Sequence, residues 1–379
     1  MIKLAHPDIG DEELNAIKQV LDSGYLVQGK MVEELETLVA DYLGVKYAIA
    51  VSSGTAALHL AVKVLDLKTS DEVIVPDFTF PATANVVELV GAKTKLVDVE
   101  LNTFCIDPSK IERYINENTK AIIPVHEFGC SAKLNNIMTL AEKYNLRVIE
   151  DAACALGTEY KGKKVGTFGD VGCFSLHPRK AITTGEGGIV VTNDDSIARK
   201  VKILRNHGID NSEGFIDFIE AGFNYRMTDI QAAMGVVQLR KLDNILARRK
   251  KCANIYNKLL ASNKFVTLPN DMENGRHIFQ TFHILLDKKI DRNKVMLDLR
   301  KAGIESNIGA YAVHKQTYYN NKYHCSDNDY KCSTFCYEHG LALPLHNELD
   351  EEIIGFICNQ LNRILMINQT KGLPGVSAN

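Results

Sequence analysis

Between residues 45 and 205, short runs of apolar, often β-branched residues alternate with helix-like stretches. No other feature of the chain restricts its fold as much. KYAIAVSS is followed by TAALHLAVKVL, and EVIVP by ATANVVELVGA. TKLVDV and AIIPVH read as further strands, KLNNIMTLAEKY as a helix and LRVIEDA as a strand, and VGCFSL and GGIVVTN close the series. Val and Ile runs without polar interruption predict strands buried on both faces, and alternation with helices predicts a largely parallel sheet in an α/β fold. A long helix is predicted through MTDIQAAMGVVQLRKLDNILARRKKCANIYNKLL. Beyond about residue 250 the rhythm changes: FQTFHILL reads as a strand and IIGFICNQLNRIL as a terminal helix. The expectation is a large domain over residues 1–250 and a smaller α+β domain over 251–379. The closing TKGLPGVSAN, small and polar, is expected to fray.

Composition narrows the function classes. Lys and Arg total 44 against 47 Asp and Glu, so the basic excess of a nucleic-acid binder is missing. No apolar run approaches the roughly 18 residues that span a bilayer. The first residues, MIKLAHPDIGDEELNAI, place acidic side chains where a signal peptide would be apolar. Nine cysteines, an odd number, are scattered without the dense even spacing of a disulfide scaffold. Reduced thiols and a cytoplasmic setting are expected, with neither membrane nor nucleic acid as partner. His324, Cys325, Cys332, Cys336 and His339 have the ligand types of a zinc site, but no C-x-x-C knuckle, so no metal is expected.

Ligands of an open parallel sheet gather at the carboxyl ends of its strands. After KYAIAV comes Ser52-Ser53-Gly54-Thr55-Ala56-Ala57, opening a helix. Small residues there let backbone N–H groups and the Thr55 hydroxyl approach an anion, though the same residues also read as an ordinary N-cap. Neither a Walker loop nor a G-x-G-x-x-G motif is present. After LRVI comes Glu150-Asp151-Ala152-Ala153-Cys154, where a strand-end aspartate reads as a helix cap, a metal ligand or the partner of a protonated ring nitrogen. After VGCFSL comes His177-Pro178-Arg179-Lys180, leading into the glycine turn Thr183-Thr184-Gly185-Glu186-Gly187-Gly188. An anion-ready helix start, an aspartate and a lysine at strand ends of one sheet match the needs of pyridoxal 5′-phosphate: phosphate cradle, ring-nitrogen partner and Schiff-base amine.

Taken in order, these segments resemble the DegT/StrS family of nucleotide-sugar aminotransferases. That family belongs to the fold-type I, aspartate aminotransferase-like pyridoxal phosphate enzymes. The likeness begins at HPDIGDEELNAIKQVLDSGYLVQGKMVEELE and continues through YAIAVSSGTAALHLAV, PDFTFPATANVVELVGA and IIPVHEFG. It then covers VIEDAACALGTEYKGKKVGTFGDVGCFSLHPRKAITTGEGGIVVTND and GFNYRMTDIQAAMG, and ends near HGLALPLH. The resemblance implies that Lys180 carries the cofactor and shuttles the substrate proton, and that Asp151 pairs with the pyridine nitrogen. It places Phe80 and Ala153 on the two ring faces, and Gly54, Thr55, Ala56 and Ser175 around the phosphate. Asn224 would reach the phosphate of the neighbouring subunit's cofactor in a homodimer whose active sites lie at the subunit interface. One departure stands out: Cys154 occupies a position where the family commonly has Gln near the cofactor's phenolic oxygen, and a thiol is a weaker donor. Lys180 itself argues against the sugar-dehydrating branch, which has histidine there.

The same resemblance implies transfer of an amino group from L-glutamate to a nucleoside-diphosphate keto sugar. The TTGEGG run is closer to members acting on 4-keto-6-deoxy sugars than to those acting on 3-keto sugars. Tyr225, Arg226, Tyr311 and His314 are candidates for substrate contact, and Lys30, Arg179 or Arg226 for the diphosphate. A 3-keto sugar, a small non-sugar ketone and a catalytically inactive regulatory relative are the alternatives.

Overall fold

The computed structural model describes residues 1–212, 214–270 and 275–370. The segment 371–379, nearly all of the tail expected to fray, lies outside the described residues. Seven strands form the central sheet: β1 (Tyr47–Val51), β2 (Glu72–Pro76), β3 (Lys93–Val97), β4 (Thr119–Ile122), β5 (Arg147–Asp151), β6 (Val171–Ser175) and β7 (Gly188–Thr192). Their order is β1-β7-β6-β5-β4-β2-β3. Every one falls in a segment whose pattern predicts a strand. All are parallel except β7, which runs antiparallel to both β1 and β6. The reason lies in the link 176–187, which contains no helix to carry the chain back across the sheet, so the chain returns beside the strand it left.

Both faces of the sheet are covered, as period-2 alternation requires. Ile49 and Val51 point to the face packed by the helix Gly54–Lys63, through Ala57, Leu60 and Ala61. Ala48 and Ala50 point to the other face, packed by Val32, Leu35 and Val39 of Lys30–Leu43 and by Ala232, Val236 and Leu242 of the long helix Asp229–Leu260. That long helix opens with a reciprocal cap between Thr228 and Gln231. Its first residue, Asp229, accepts from the N–H groups of Gly29 and Val32 at 2.8 and 3.1 Å, an acidic side chain on the positive end of the neighbouring helix.

The same helix runs from one core into another. Ala232 to Leu246 pack into the sheet's core, whereas Cys252, Ala253, Tyr256 and Leu260 pack into a second core with Phe282, Ile284, Leu341 and Leu343. Residue 250, where the sequence rhythm changes, lies inside this continuous helix. Around the second core lie the antiparallel strands Val266–Thr267, Phe282–Leu286 and Gly340–Leu343, with helices Arg292–Lys301 and Glu351–Thr370. The first residues of the chain cross to this unit: the Ile2 N–H donates to the Gly303 carbonyl at 2.7 Å. Among the described residues no helix is long and apolar enough to cross a membrane.

Candidate active site

Between the carboxyl edge of the sheet and the second core lies a cavity of about 530 Å³. Its wall includes Gly54, Thr55, Phe80, Asp151, Ala153, Cys154, Ser175 and Lys180 from the sheet side, and Gln280, Asn307 and Leu345 from the other. Most of the cofactor residues expected from the sequence thus share one wall, although they are spread over more than a hundred positions.

Strand geometry selects between the two carboxylates of β5. Consecutive strand residues face opposite ways. Glu150 turns into the protein, where it accepts from the N–H groups of Phe168 (2.6 Å), Gly169 (2.8 Å) and Gly166 (2.8 Å), and its Oε2 lies 3.0 Å from His126 Nε2. Burial pushes this acid up, but His126 and the backbone donors outweigh it and hold Glu150 below the usual carboxylate range. Asp151 turns into the cavity. Its Oδ2 accepts from the Thr83 hydroxyl at 2.7 Å and its Oδ1 from the Ala153 N–H at 3.1 Å. Burial raises its pKa, against the pull of those donors and of Lys180.

Lys180 sits in the link between β6 and β7, its N–H closing a turn onto the His177 carbonyl at 2.8 Å. Its Nζ donates to Cys154 Sγ at 2.9 Å. Desolvation disfavours the ammonium, but Cys154, Asp151 and Glu127 together outweigh it, and the amine is raised above its ordinary value. Burial pushes the Cys154 thiol up, with Lys180 opposing.

The same side of the cavity carries the start of the helix Gly54–Lys63. Ser53 caps it, its Oγ accepting the Ala56 N–H at 3.1 Å. The Ala56 N–H is thereby occupied, and Ser53, Gly54 and Thr55 rather than Ala56 line the cavity in that turn. Gly54 is required by a close approach: a Cβ there would lie 2.7 Å from Ser175 Cβ and 3.1 Å from its Oγ. This tight pairing brings two short polar segments to one spot, where backbone donors and hydroxyls can surround a phosphate. Phe80 is 64% exposed over the cavity and meets the Tyr311 ring edge-on at 6.3 Å. A carboxylate, an amine, an aromatic plate and a helix start around one cavity fit pyridoxal phosphate.

Other expected residues lie elsewhere. Asn224, Tyr225 and Arg226 flank the end of β1 outside this cavity wall: Arg226 pairs with Val51 and bonds Asn206, and the Tyr225 hydroxyl lies 3.0 Å from His59 Nδ1. Lys30 opens its helix at the surface, whereas Arg179 lines the cavity. His314 does not line the cavity: its ring is fully buried, with Nδ1 2.6 Å from Asp77 and Nε2 3.0 Å from Asp327. Desolvation would lower it, but the two carboxylates outweigh this and raise its pKa. The thiols weighed for zinc sit in apolar surroundings, Cys332 beside Cys336. Cys336 packs with Phe78, Phe104 and Phe128, and Cys325 lies against Tyr330. Among the described residues no three His, Cys, Asp or Glu side chains gather as a metal site.

Sequence reasoning missed Glu127, His177, Gln280 and Asn307, all on the cavity wall. Glu127 had a signal, a lone acid in the strand-end run IIPVHEFG. Gln280 and Asn307 had none, because only the second unit's docking brings them here.

Residues 7–362 match the family model of the DegT/DnrJ/EryC1/StrS aminotransferases, and the chain belongs to that family. It is a pyridoxal phosphate-dependent sugar aminotransferase of fold type I. It is 40% identical over 369 residues to the GDP-perosamine synthase of Caulobacter vibrioides, covering 96% of this chain and 98% of that one. Among solved structures it resembles Helicobacter pylori PseC, an aminotransferase involved in the biosynthesis of pseudoaminic acid, with TM-score 0.93 and 29% identity over 97% of this chain and 99% of that one. It also resembles the PLP form of Spr1654 from Streptococcus pneumoniae, with TM-score 0.91 and 28% identity over 97% and 99% of the two chains.

Proposed function

We propose that this aminotransferase moves an amino group from L-glutamate to a 4-keto-6-deoxy sugar carried on a nucleoside diphosphate, giving an amino-deoxy sugar for glycan assembly. The observation that carries the reading is the convergence of Lys180 and Asp151 on one cavity, in a chain 40% identical to an enzyme named for a GDP-linked amino sugar. Pyridoxal phosphate bound here supplies an aldehyde for the amine and a ring that withdraws electrons from the substrate carbon.

Lys180 would hold the cofactor through its Nζ, and that nitrogen would be the group that carries the substrate proton. Its raised affinity for protons reflects three acidic neighbours, so it must give up a proton to one of them before it can attack. Asp151 holds the positive charge of the ring nitrogen, with the Thr83 and Ala153 donors keeping its carboxylate aimed. Gly54, Thr55 and Ser175 hold the phosphate, while Phe80 and Ala153 cover the ring. Asn224, which does not line its own chain's cavity, serves a second copy's site in a homodimer. Tyr311, beside Phe80, and Arg179, on the cavity wall, meet the nucleotide sugar.

The test is incubation of the protein with L-glutamate and a panel of nucleotide-linked 4-keto and 3-keto sugars, with products read by mass. Amination of the 4-keto-6-deoxy members alone is expected. Preference for 3-keto sugars, or for ketones without a nucleotide, would overturn the assignment.

A further inference from the structure

The link 176–187 that carries Lys180 contains neither helix nor strand. Much of what holds it comes from its own residues and their neighbours. The His177 N–H donates to Ser175 Oγ at 3.3 Å, the Arg179 N–H to His177 Nδ1 at 3.2 Å and the Lys180 N–H to the His177 carbonyl at 2.8 Å. Among the described residues, the backbone of 177–182 makes one hydrogen bond with a distant part of the chain: Gln280 Nε2 donates to the Arg179 carbonyl at 2.7 Å. That carbonyl belongs to the same planar peptide unit as the Lys180 N–H, so holding it holds the plane from which Lys180 springs.

Gln280 is itself held on several sides. Its Oε1 accepts the Thr281 hydroxyl at 2.9 Å, so the amide is satisfied in one orientation; turned over, its oxygen would face the Arg179 carbonyl. Its N–H donates to the Phe128 carbonyl at 2.9 Å. Phe279, just before it, is fully buried at φ 50°, a left-handed conformation that a bulky residue keeps only where its surroundings over-determine it. Arg249 supplies that constraint. It is 5% exposed and has no salt bridge among the described residues, and it spends its donors on this turn. Its Nε donates to the Phe279 carbonyl at 3.2 Å and its Nη2 to the Gln280 carbonyl at 2.5 Å. Arg249 lies in the helix Asp229–Leu260, where packing passes from one core to the other.

We propose that Gln280 is a positioning residue of the transamination site: its side-chain amide, anchored through Arg249 to the long helix, fixes the peptide before Lys180 and so fixes where the amine stands in the cavity. The left-handed turn at Phe279 aims that amide. Without the bond, a link that has no secondary structure would let the amine wander, and a misplacement of about 1 Å at a reacting group costs about 100-fold in rate. The consequence for the cofactor rests on Lys180 as its amine, the function proposed above; the tie between Gln280 and the link does not.

Three variants of the purified holoenzyme test this. Gln280→Met keeps the length of the side chain and removes its donor, Gln280→Glu lacks the donor only while its carboxyl is ionised, and Arg249→Lys leaves every cavity residue in place. In Gln280→Met, hydrogen exchange at the amides of 177–182 should quicken by about tenfold or more while the sheet strands exchange as before. Its kcat should fall about 10- to 100-fold with KM for both substrates within about threefold, and the visible circular dichroism of the bound cofactor should weaken. In Gln280→Glu the dichroism should recover as pH falls through the carboxyl range, and in Gln280→Met it should not. Arg249→Lys should move exchange and dichroism in the same direction by less. Unchanged exchange in Gln280→Met, a Gln280→Glu dichroism that ignores pH, or a lower melting temperature with wild-type kcat and dichroism would overturn the proposal. A colourless wild type whose Gln280→Met variant still exchanges faster at 177–182 would sustain the tie and overturn the cofactor assignment instead.

Discussion

Replacing Glu150 by Gln keeps the shape of the side chain and removes half of its acceptor capacity. The wild-type carboxylate serves four donors, the N–H groups of Gly166, Phe168 and Gly169 and the His126 ring. The ring's tautomer is fixed from its other side: the Ala132 N–H donates to Nδ1 at 3.1 Å, so in the neutral ring the proton sits on Nε2 and is given to Glu150. A Gln can offer its oxygen to only one pair of these donors. Whichever way it turns, its NH₂ faces the other pair, leaving two buried donors without an acceptor. At about 1–3 kcal/mol each, the change costs about 4 kcal/mol. For a chain of this size that is a fall in melting temperature of roughly 5 °C. The assay is thermal unfolding by circular dichroism, with both proteins saturated with cofactor because a bound ligand moves the midpoint. The pH dependence has a fixed sign. Glu150 is held below its ordinary value in the fold, so its contribution is fully present above the unfolded carboxyl range and is lost as pH falls through the lowered value. The gap between wild type and variant should therefore narrow in acid. A midpoint within about 2 °C of wild type at neutral pH, or a gap that ignores pH, would refute the reasoning.

Lys180→Ala should reduce turnover by at least about 10⁴-fold, because no other amine on the described cavity wall can attach the cofactor; residual turnover above about 1% in single-turnover assays would contradict this. Gly54→Ala should weaken cofactor binding by about tenfold or more, since its Cβ would meet Ser175 Cβ at 2.7 Å and shift the phosphate cradle; fluorescence titration of the apoprotein measures it, and an unchanged Kd would count against the cradle. His314→Ala should destabilise the protein by about 3–5 kcal/mol by stranding the buried Asp77, and should leave KM for the nucleotide sugar within about twofold; a large KM change with an unaltered melting point would return His314 to the substrate site.

The sheet was legible because its strands are buried on both faces, and such strands announce themselves as uninterrupted Val and Ile runs. Direction was less legible than existence. GGIVVTN has the same composition as its parallel neighbours, and only the helix-free link before it makes it antiparallel. The boundary near residue 250 followed a change of rhythm, but helix periodicity says nothing about which core a turn faces, and one continuous helix serves both. The first residues gave no sign that Ile2 would join the second unit, because a bridge of two backbone hydrogen bonds, at 2.7 and 2.9 Å, leaves no pattern in a sequence.

At the site, what could be read was whatever sits directly after a strand. Asp151, Ser175 and the Ser53 turn are fixed by the sheet's register, so their position along the chain is already a position in space. His314 shows the converse. It lies in a short loop of the second unit, where no periodicity sets a direction, and the deciding partner, Asp77, is 237 residues away. Glu127 falls between the two cases. It follows a strand and so was placed beside the cavity by the same logic as Asp151, yet a lone acid next to a histidine reads as an ordinary polar loop.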